Sequence, residues 1–557
     1  MRLKRTLFYA VTGICLGLAF PPFNLYTLLI AGYALLIHII HDSKKFREVF
    51  VRTYSVMFFF SLLAVSWISL SGLRESADKF MILGGFLTIV LYSIVLLIPF
   101  IVYFYVRRGL GNLFGSETAF RRNISLLYFP FIITAWEYLF EHMEQSFPWL
   151  NAGNAFTTAL HKIQFIEITG VYGLSFWAYV MSCLVYLIFY LIVSKSLSAR
   201  EFFRKKSGII LLVITFTVYF LPDIYTVITS PRLKYEKTGN ERTITAGILQ
   251  PNVNPWRKWG AKQMELANEY AGMIGQFDTS KIRPDVIILP ETAVPFYILD
   301  EYYTDKYNVF KDLCDTLNIP LLIGAPDIVH YNDSIKAKSD SRENKSTGER
   351  YDSFNSAILM QPGEMKISHQ KYAKIKLVFA SERVSYQDKL VFLKNLIRWS
   401  VGISSFQIGW DTTVFSLGNK ARFSTAICFE SIYPAFVSAF VKKGAQFCVV
   451  ITNDGWWGRL FGTYQHNLFA VLRAIENRRW IARCANTGIS CVIDPYGNMY
   501  GETEINEKAY LTEKIGLRDE LTFYTLHPEL APDIILYTAG IMLITGFLPL
   551  FRKKGRS

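Results

Sequence analysis

Long apolar runs dominate both ends of the chain and are absent from its middle. A helix needs about 20 mostly apolar residues to cross the hydrocarbon core of a bilayer. The basic residues at the start could instead open a cleaved signal peptide, but no small-x-small cleavage site follows, and Pro21-Pro22 leads directly into the next apolar run. We therefore predict eight transmembrane helices, at about residues 6–22, 24–40, 54–72, 81–105, 124–141, 164–194, 208–228 and 530–550.

The middle of the chain has short apolar runs that alternate with amphipathic stretches. Strands are predicted at 244–250, 285–289, 320–325, 354–360, 422–427, 447–452 and 489–494, and helices at 262–277, 301–317, 433–443 and 465–480. This alternation predicts an α/β layered domain. Residues 331–350 are polar and aperiodic, which indicates a surface loop or a hairpin insertion.

Basic residues flank the predicted membrane helices mostly at one set of ends, whereas the opposite loops of the bundle contain only Arg74, Lys79 and Lys162. By the positive-inside rule, both termini face the cytoplasm and the middle of the chain faces outward. The same bias accounts for the formal net charge of +14, so no nucleic-acid partner is predicted. The patterns divide the chain into a seven-helix transmembrane bundle (1–228), an outward-facing domain (229–529), and an eighth helix with a basic cytoplasmic tail (530–557).

Composition narrows the class of protein further. Hydrophobic residues make up 51% of the chain and charged residues 19%, against about 25% charged in average soluble proteins. This excludes a disordered or fibrous protein and argues against an ordinary cytosolic enzyme. The seven cysteines show no CxxC pair and no metal-type spacing with histidine, so we predict no metal and no cofactor. The segment 389–399 mixes apolar and basic residues and predicts either a packed helix or an arm that reaches the lipid interface.

Three residues are candidates for chemistry on their local sequence. Glu291 ends the strand-like segment VIILPE, and α/β domains build sites at the carboxyl ends of strands, although a capping or ion-paired glutamate gives the same pattern. Cys428 lies between a predicted strand and a predicted helix, whose dipole would lower the pKa of the thiol; the alternative is a small core residue. Lys374 and Lys376 are equally good candidates in YAKIKLVFASE, and both could be solvated surface lysines.

A nucleophilic cysteine needs a base to remove its proton. His369 and His466 are the histidines nearest in sequence to these motifs, and neither is obviously paired with Cys428. A carboxylate base is therefore expected, which favours Glu291.

The order Glu, Lys, Cys with these flanks resembles the catalytic triad of the nitrilase (carbon–nitrogen hydrolase) superfamily. Seven membrane helices before the domain and one after it narrow the resemblance to the apolipoprotein N-acyltransferase family. The resemblance is carried by LPETAVP around Glu291, YAKIKLVFASE with Lys374 and Glu382, ICFE with Cys428, ITNDGWWG at 451–458, Lys258-Trp259, Gln465-His466 and Asn486-Thr487-Gly488. The sequence departs from the family where Lys376 replaces a histidine, Phe379-Ala380-Ser381 replaces Pro-Phe-Gly, and Phe429 replaces a frequent tyrosine.

The resemblance implies a nitrilase-like α-β-β-α sandwich joined to the all-α membrane bundle. It also implies a two-step transfer of an acyl chain, from a phospholipid to the α-amine of the N-terminal diacylglyceryl-cysteine of an apolipoprotein, in the bacterial inner membrane with the catalytic domain on the periplasmic side. The implied roles are nucleophile and thioester carrier for Cys428, general base and acid for Glu291, oxyanion stabiliser for Lys374, support for Glu382 and Glu430, and substrate contact for Trp259 and Phe429.

Two other functions fit parts of the pattern. A membrane-tethered amide hydrolase would use the same triad, with water in place of the amine. A transporter or receptor whose outward domain only binds would leave Cys428 as an inert core thiol.

Overall fold

The computed structural model describes residues 2–75, 77–114, 119–194, 199–230, 233, 242–256, 258–260, 262–278, 282–331, 337–379, 381–384, 386 and 406–551. The segment 389–399 lies outside these residues. The helices are α1 (Arg2–Leu18), α2 (Thr27–His41), α3 (Phe46–Val65), α4 (Trp67–Ser71), α5 (Phe80–Phe114), α6 (Ala119–Glu141), α7 (Leu160–Ile163), α8 (Ile166–Phe189), α9 (Ala199–Arg204), α10 (Lys206–Thr229), α11 (Gln263–Gly275), α12 (Thr304–Leu317), α13 (Pro434–Lys442), α14 (Phe461–Asn477), α15 (Phe523–Leu526) and α16 (Leu530–Phe551).

Each segment predicted to cross the membrane contains a helix, but the number of spans differs from the prediction. Among the described residues, five helical segments are long and apolar enough to cross a bilayer, not eight: Phe46–Ser71, Phe80–Leu113, Ile166–Ile192, Lys206–Thr229 and Leu530–Leu550. α1 and α2 have 17 and 15 residues, and 15 residues at ~1.5 Å per residue are about 22 Å, shorter than the hydrocarbon core. α6 has Glu137 and Glu141 in its last two turns.

The bundle presents apolar side chains on its outside. Only 11% of the most apolar part of α10 is buried, the lowest value among the five spans of the described chain. Its exposed side chains include Val213, Phe216, Phe220 and Val227. A continuous apolar surface of this kind is costly in water and suits contact with lipid.

The middle of the chain forms two stacked sheets. The strands are β1 (Thr243–Gln250), β2 (Val286–Ile288), β3 (Leu321–Tyr331), β4 (Arg342–Glu343), β5 (Arg350–Met360), β6 (Gln370–Ala373), β7 (Val414–Ser416), β8 (Arg422–Ile427), β9 (Phe447–Thr452), β10 (Ile481–Ala485), β11 (Cys491–Ile493), β12 (Met499–Tyr500) and β13 (Ala509–Gly516). One sheet has the order β13-β1-β2-β3-β5-β4 with β6 beside β5, and the other has the order β12-β11-β10-β9-β8-β7.

Alternation along the strands separates the core into layers. In β1, Ile244, Ala246 and Ile248 pack between the two sheets, together with Phe423 and Ile427 of β8. Side chains on the opposite face of the first sheet pack against α11 and α12. The second sheet packs its outer face on α13 and α14, in a core that is continuous with the membrane bundle. The predicted α-β-β-α sandwich on a helical bundle is confirmed, and the central strands β8–β9–β10 and β1–β2–β3 are parallel.

The buried side-chain amide of Gln465 in α14 links the sandwich to the bundle by hydrogen bonds. The Gln465 Oε1 atom accepts hydrogen bonds from the indole nitrogens of Trp67 and Trp149 at 3.0 and 2.6 Å. Its Nε2 atom donates to the carbonyl oxygens of Pro21 and Ala64 at 2.9 and 3.0 Å. All four hydrogen-bonding positions of this side chain therefore join the domain to three separate parts of the bundle.

Most predicted strands and helices of the domain are present, with shifted ends. The polar segment 331–350 is a hairpin insertion: β3 and β5 pair in antiparallel register from Leu321↔Met360 to Tyr331↔Arg350, and β4 lies against β5. Six strands were not predicted: β4, β6, β7, β10, β12 and β13. β13 contains Glu513 and Lys514 and forms the antiparallel edge beside β1, so its apolar signal is weak.

Candidate active site

The three candidate residues follow three strands of the sandwich. Glu291 comes three residues after β2, Lys374 directly after β6, and Cys428 directly after β8. Cys428 has φ +54°, in the left-handed region that a non-glycine residue occupies only under strain. The turn at Glu291 is equally confined, because a Cβ atom at Gly324 of β3 would lie 2.8 Å from the Glu291 Cα atom. Backbone geometry therefore holds both side chains in place.

A buried ammonium lies between two buried carboxylates. The Lys374 Nζ atom is 3.1 Å from Glu291 Oε1 and 2.9 Å from Glu382 Oε1, and the three side chains are at most 8% exposed. Asn355 Nδ2 donates to the same two oxygens at 2.8 and 2.9 Å. Burial alone would lower the pKa of Lys374, but the two carboxylates outweigh it and raise the pKa above its ordinary value. Lys374, and not Lys376, therefore supplies a fixed positive charge to the site.

Lys376 faces away from this array. Its Nζ atom lies 5.0 Å from the centre of the Tyr433 ring, and its side chain is partly exposed. The local sequence did not distinguish the two lysines, but the structure does: Lys374, directly after β6, contacts the carboxylates, and Lys376 does not.

Glu430 joins the cysteine turn to the lysine loop. Its Oε2 atom accepts from the Ile427 amide at 2.8 Å, and its Oε1 atom accepts from the Tyr372 hydroxyl at 2.6 Å. Oε1 also accepts from the amides of Ile375 and Lys376 at 2.7 and 3.1 Å. Burial raises the pKa of Glu430 to about 7, although these donors favour the charged form. The Glu430 carboxylate is therefore hydrogen-bonded to both the cysteine turn and the lysine loop.

The thiol of Cys428 is protonated at rest. Burial raises its pKa well above the ordinary value, Glu291 raises it further, and Lys374 acts in the opposite direction. The predicted lowering by a helix dipole is wrong, because Cys428–Ile432 is a short 3₁₀ turn and α13 begins only at Pro434. Removal of the thiol proton therefore requires a base. Two carboxylates act on the sulfur, Glu291 more strongly and Asp454 less so, and Asp454 is already bound by His466 and Arg483.

A second buried network lies under the cysteine turn and was not predicted. Asp454 binds His466 Nδ1 at 2.8 Å and Arg483 at 2.6 Å. The Nε2 atom of His466 lies 3.1 Å from the carbonyl oxygen of Cys428. Burial alone would raise the pKa of Asp454, but His466 and Arg483 lower it to about 2. The motif ITNDGWWG contains Asp454, and the pair Gln465-His466 contains His466, so both residues had a sequence signal. The third member, Arg483, lies in β10, a strand that was not predicted.

This network also bears on metal binding. The Cys428 sulfur, an Asp454 oxygen and a His466 nitrogen lie within 4.8 Å of one another. Both ring nitrogens of His466 already have hydrogen-bonding partners, Asp454 at Nδ1 and the Cys428 carbonyl and Ser431 hydroxyl at Nε2.

The two residues expected to contact substrate lie in different surroundings. Phe429 is 5% exposed and stacks on Phe147 and Trp149 from the bundle, with ring centres 6.1 and 6.5 Å away. It therefore belongs to an aromatic wall between the cysteine turn and the bundle. Trp259 lies on the 3₁₀ turn Lys258–Gly260 and is partly exposed.

Comparison with known proteins identifies the family of the chain. The family model for the carbon–nitrogen hydrolase domain matches residues 245–519, which hold the buried thiol, ammonium and carboxylates, and so defines the class of the domain. The model for the apolipoprotein N-acyltransferase N-terminal domain matches residues 12–184. The apolipoprotein N-acyltransferase of Chlorobaculum tepidum is 32% identical over 96% of this chain and 95% of its own length. The chain therefore belongs to the apolipoprotein N-acyltransferase family and is an acyltransferase.

Other proteins are similar to this chain over its whole length or over part of it. The apolipoprotein N-acyltransferase of Geobacter metallireducens is 28% identical over 96% of this chain and 94% of its own length. Among solved structures, Nit3 of Saccharomyces cerevisiae, a member of the nitrilase superfamily, is 14% identical, covers 57% of this chain and 97% of its own, and has a TM-score of 0.35.

Proposed function

We propose that the protein transfers an acyl chain from a phospholipid to the α-amine of the N-terminal diacylglyceryl-cysteine of an apolipoprotein, through a thioester on Cys428. The observation that carries this proposal is the buried Cys428 thiol, acted on by Glu291 and Lys374 in a chain of this family. A thiol whose pKa is raised needs an adjacent base, and a buried carboxylate is present for it.

In the first step, Glu291 takes the proton from the Cys428 thiol, and the thiolate attacks the ester carbonyl of the phospholipid. The ammonium of Lys374 stabilises the oxyanion of the tetrahedral intermediate. The carbon–oxygen bond to glycerol then breaks, and Glu291 returns its proton to the leaving alkoxide. The products are a thioester on Cys428 and a lysophospholipid.

In the second step, the α-amine of the diacylated acceptor attacks the thioester carbon. Glu291 takes a proton from the attacking nitrogen, the carbon–sulfur bond breaks as the amide forms, and Glu291 passes that proton to the Cys428 sulfur. Glu382 and Glu430 act as positioning residues: the first holds Lys374 at 2.9 Å, and the second links the turn of Cys428 to the loop of Lys374.

Both substrates are anchored in lipid, so the site has to open beside the membrane. Support for this comes from the Tyr433 hydroxyl, which lies 2.7 Å from the Ser146 hydroxyl of the bundle, and from the aromatic wall at Phe429. In the proposed arrangement the bundle (1–228) and the eighth helix (530–557) lie in the bacterial inner membrane with both termini cytoplasmic. The catalytic domain (229–529) lies on the periplasmic side, and Trp259 contacts the lipid substrates.

The mass of the acceptor distinguishes transfer from hydrolysis. The purified protein is incubated with phospholipid vesicles and a synthetic diacylated lipopeptide, and the lipopeptide is weighed by mass spectrometry. A gain of one acyl chain, absent in Cys428→Ala and present in the buried-cysteine control Cys491→Ala, supports the proposal. Free fatty acid without a heavier lipopeptide would instead identify a hydrolase.

A further inference from the structure

Lys258 is a second buried lysine beside the proposed base. It lies on the 3₁₀ turn Lys258–Gly260 that follows β1, is 1% exposed, and its Nζ atom has no hydrogen-bond partner among the described residues. A buried polar atom without a partner is uncommon in proteins and needs an explanation, such as a catalytic role or a bound water or ion. The proposed steps make no use of Lys258.

The surroundings of Lys258 contain few charges. Glu291, on the loop after β2, is the one charged group of the described chain whose field acts on Lys258. The loop that holds Lys258 packs on the loop after β9 through the rings of Trp256 and Trp456, 4.8 Å apart. The charged group of that loop, Asp454, is already bound by Arg483 from β10 and by His466 from α14.

The two buried lysines therefore differ in charge state. Lys374 is held as an ammonium by two carboxylates in contact with it. No carboxylate of the described residues is in contact with Lys258, so burial dominates and lowers its pKa to about 7, with Glu291 opposing this. At neutral pH a large fraction of Lys258 is a neutral amine with a free lone pair.

Proton counting shows what such an amine is needed for in the proposed reaction. The α-ammonium group of the acceptor carries three hydrogens, and the nitrogen of the product amide carries one. Two protons must therefore leave the nitrogen in each turnover. Glu291 can hold one of them, and that proton returns to the sulfur when the carbon–sulfur bond breaks. When the acceptor binds as an ammonium, the second proton needs another acceptor within the site.

We propose that Lys258 is a catalytic base of the second step, which accepts this second proton from the α-ammonium group of the acceptor. The inference rests on the proposed function. The Lys258 amine takes a proton from the bound ammonium and becomes an ammonium itself, and the freed α-amine attacks the thioester. Glu291 takes the next proton from the attacking nitrogen and returns it to the sulfur. Lys258 then releases its proton to solvent, which balances the one proton produced per amide formed.

The test separates the two half-reactions in the full-length protein. Lys258→Met removes the amine, Lys258→Arg keeps a positive charge that cannot accept a proton, and Lys262→Met is the control on an exposed neighbour, whose side chain is 80% exposed. Thioester formation is measured in a single turnover with labelled phospholipid. The acyl-enzyme is then isolated, mixed with diacylated lipopeptide, and followed between pH 6 and pH 9.

We expect both Lys258 variants to form the thioester within about threefold of the wild-type rate, as Lys262→Met does. Transfer to the lipopeptide should slow by at least about tenfold at pH 7, because general-base catalysis contributes ~10²–10⁴-fold and only about a tenth of an α-amine with pKa near 8 is free at that pH. By pH 9 the acceptor loses its proton to solvent, and the deficit should shrink to about threefold.

Three results would overturn the role. If Lys258→Arg transfers at the wild-type rate, positive charge is required and not proton acceptance. If thioester formation is lost together with transfer, Lys258 binds the phospholipid or supports the fold. If the transfer deficit is the same at pH 7 and pH 9, the residue does not act as a base. Failure of the proposed function is seen separately, since wild-type protein would then form no thioester or leave the lipopeptide unacylated.

Discussion

Replacement of Lys374 by methionine tests the role of the buried ammonium between Glu291 and Glu382. Methionine keeps most of the volume of the side chain but removes the ammonium that lies 3.1 and 2.9 Å from the oxygens of Glu291 and Glu382. At an effective dielectric constant of about 20, each contact at this distance contributes roughly 5 kcal/mol of Coulomb attraction before desolvation is subtracted. The variant leaves two buried carboxylates that share Asn355 without a cation between them.

Two effects on the first step follow from this change. Like charges this close do not both stay ionised, so the pair takes up a proton and Glu291 no longer acts as a free base. The oxyanion also loses its stabilising charge, and removal of one such group typically costs ~10²–10³-fold in rate. We therefore expect thioester formation to fall by at least about 10³-fold in Lys374→Met.

The matched control is Lys376→Met, two residues further along the chain, where the side chain lies over the Tyr433 ring. It should form the thioester within about threefold of the wild-type rate. Both variants are compared by single-turnover acylation with labelled phospholipid, after thermal unfolding in detergent has shown that each is folded. The reasoning is refuted if Lys374→Met acylates within tenfold of wild type, or if Lys376→Met is equally inactive.

Two further predictions concern the buried networks around the cysteine turn. Glu430→Gln offers one acceptor oxygen where the carboxylate uses two, so either the Ile427 amide or the donors on Oε1 lose their partner. We expect the free energy of unfolding to fall by about 1–3 kcal/mol and the acylation step to be slower. Unchanged values of both would contradict the positioning role. Asp454 has a pKa of about 2 in the folded protein, below its ordinary 3.8, because His466 and Arg483 outweigh burial. Between about pH 4 and pH 2 the unfolded chain therefore binds more protons than the folded protein. The free energy of unfolding should fall by about 2 kcal/mol over this range. Asp454→Asn should be less stable at neutral pH and lack this acid dependence in thermal unfolding.

The sequence pattern sufficed for the layered architecture because the central strands are buried on both faces. β9 is an almost continuous apolar run, and the ends of β8 and β9 were predicted within a residue, whereas the central strand β10 is interrupted by Arg483 and was missed. Edge strands carry a weaker signal: the middle of β13 is Thr512-Glu513-Lys514, and its pairing with β1 is set by tertiary contact. Among the described residues, five helices rather than eight are long and apolar enough to span a membrane, and apolarity alone does not show that α2 is as short as 15 residues.

The candidate site was predicted only as far as motifs mark it. Glu291, Lys374 and Cys428 stand at strand ends, which a sequence can indicate. The charge states cannot be read in the same way, because they depend on which groups fold together. Lys374 is an ammonium because Glu382 and Glu291 meet it, and Cys428 keeps its proton because the dipole expected from a following helix is replaced by a short turn and burial.

The most direct test of the central claim is the location of the acyl group in the intermediate. Wild-type protein is mixed with phospholipid, digested, and mapped by mass spectrometry before and after addition of a diacylated lipopeptide. The account predicts one acyl chain, labile to hydroxylamine, on the peptide that contains Cys428; it should disappear as the lipopeptide gains the same mass. An acyl group on any other residue, or acylation that persists in Cys428→Ala, would contradict the account.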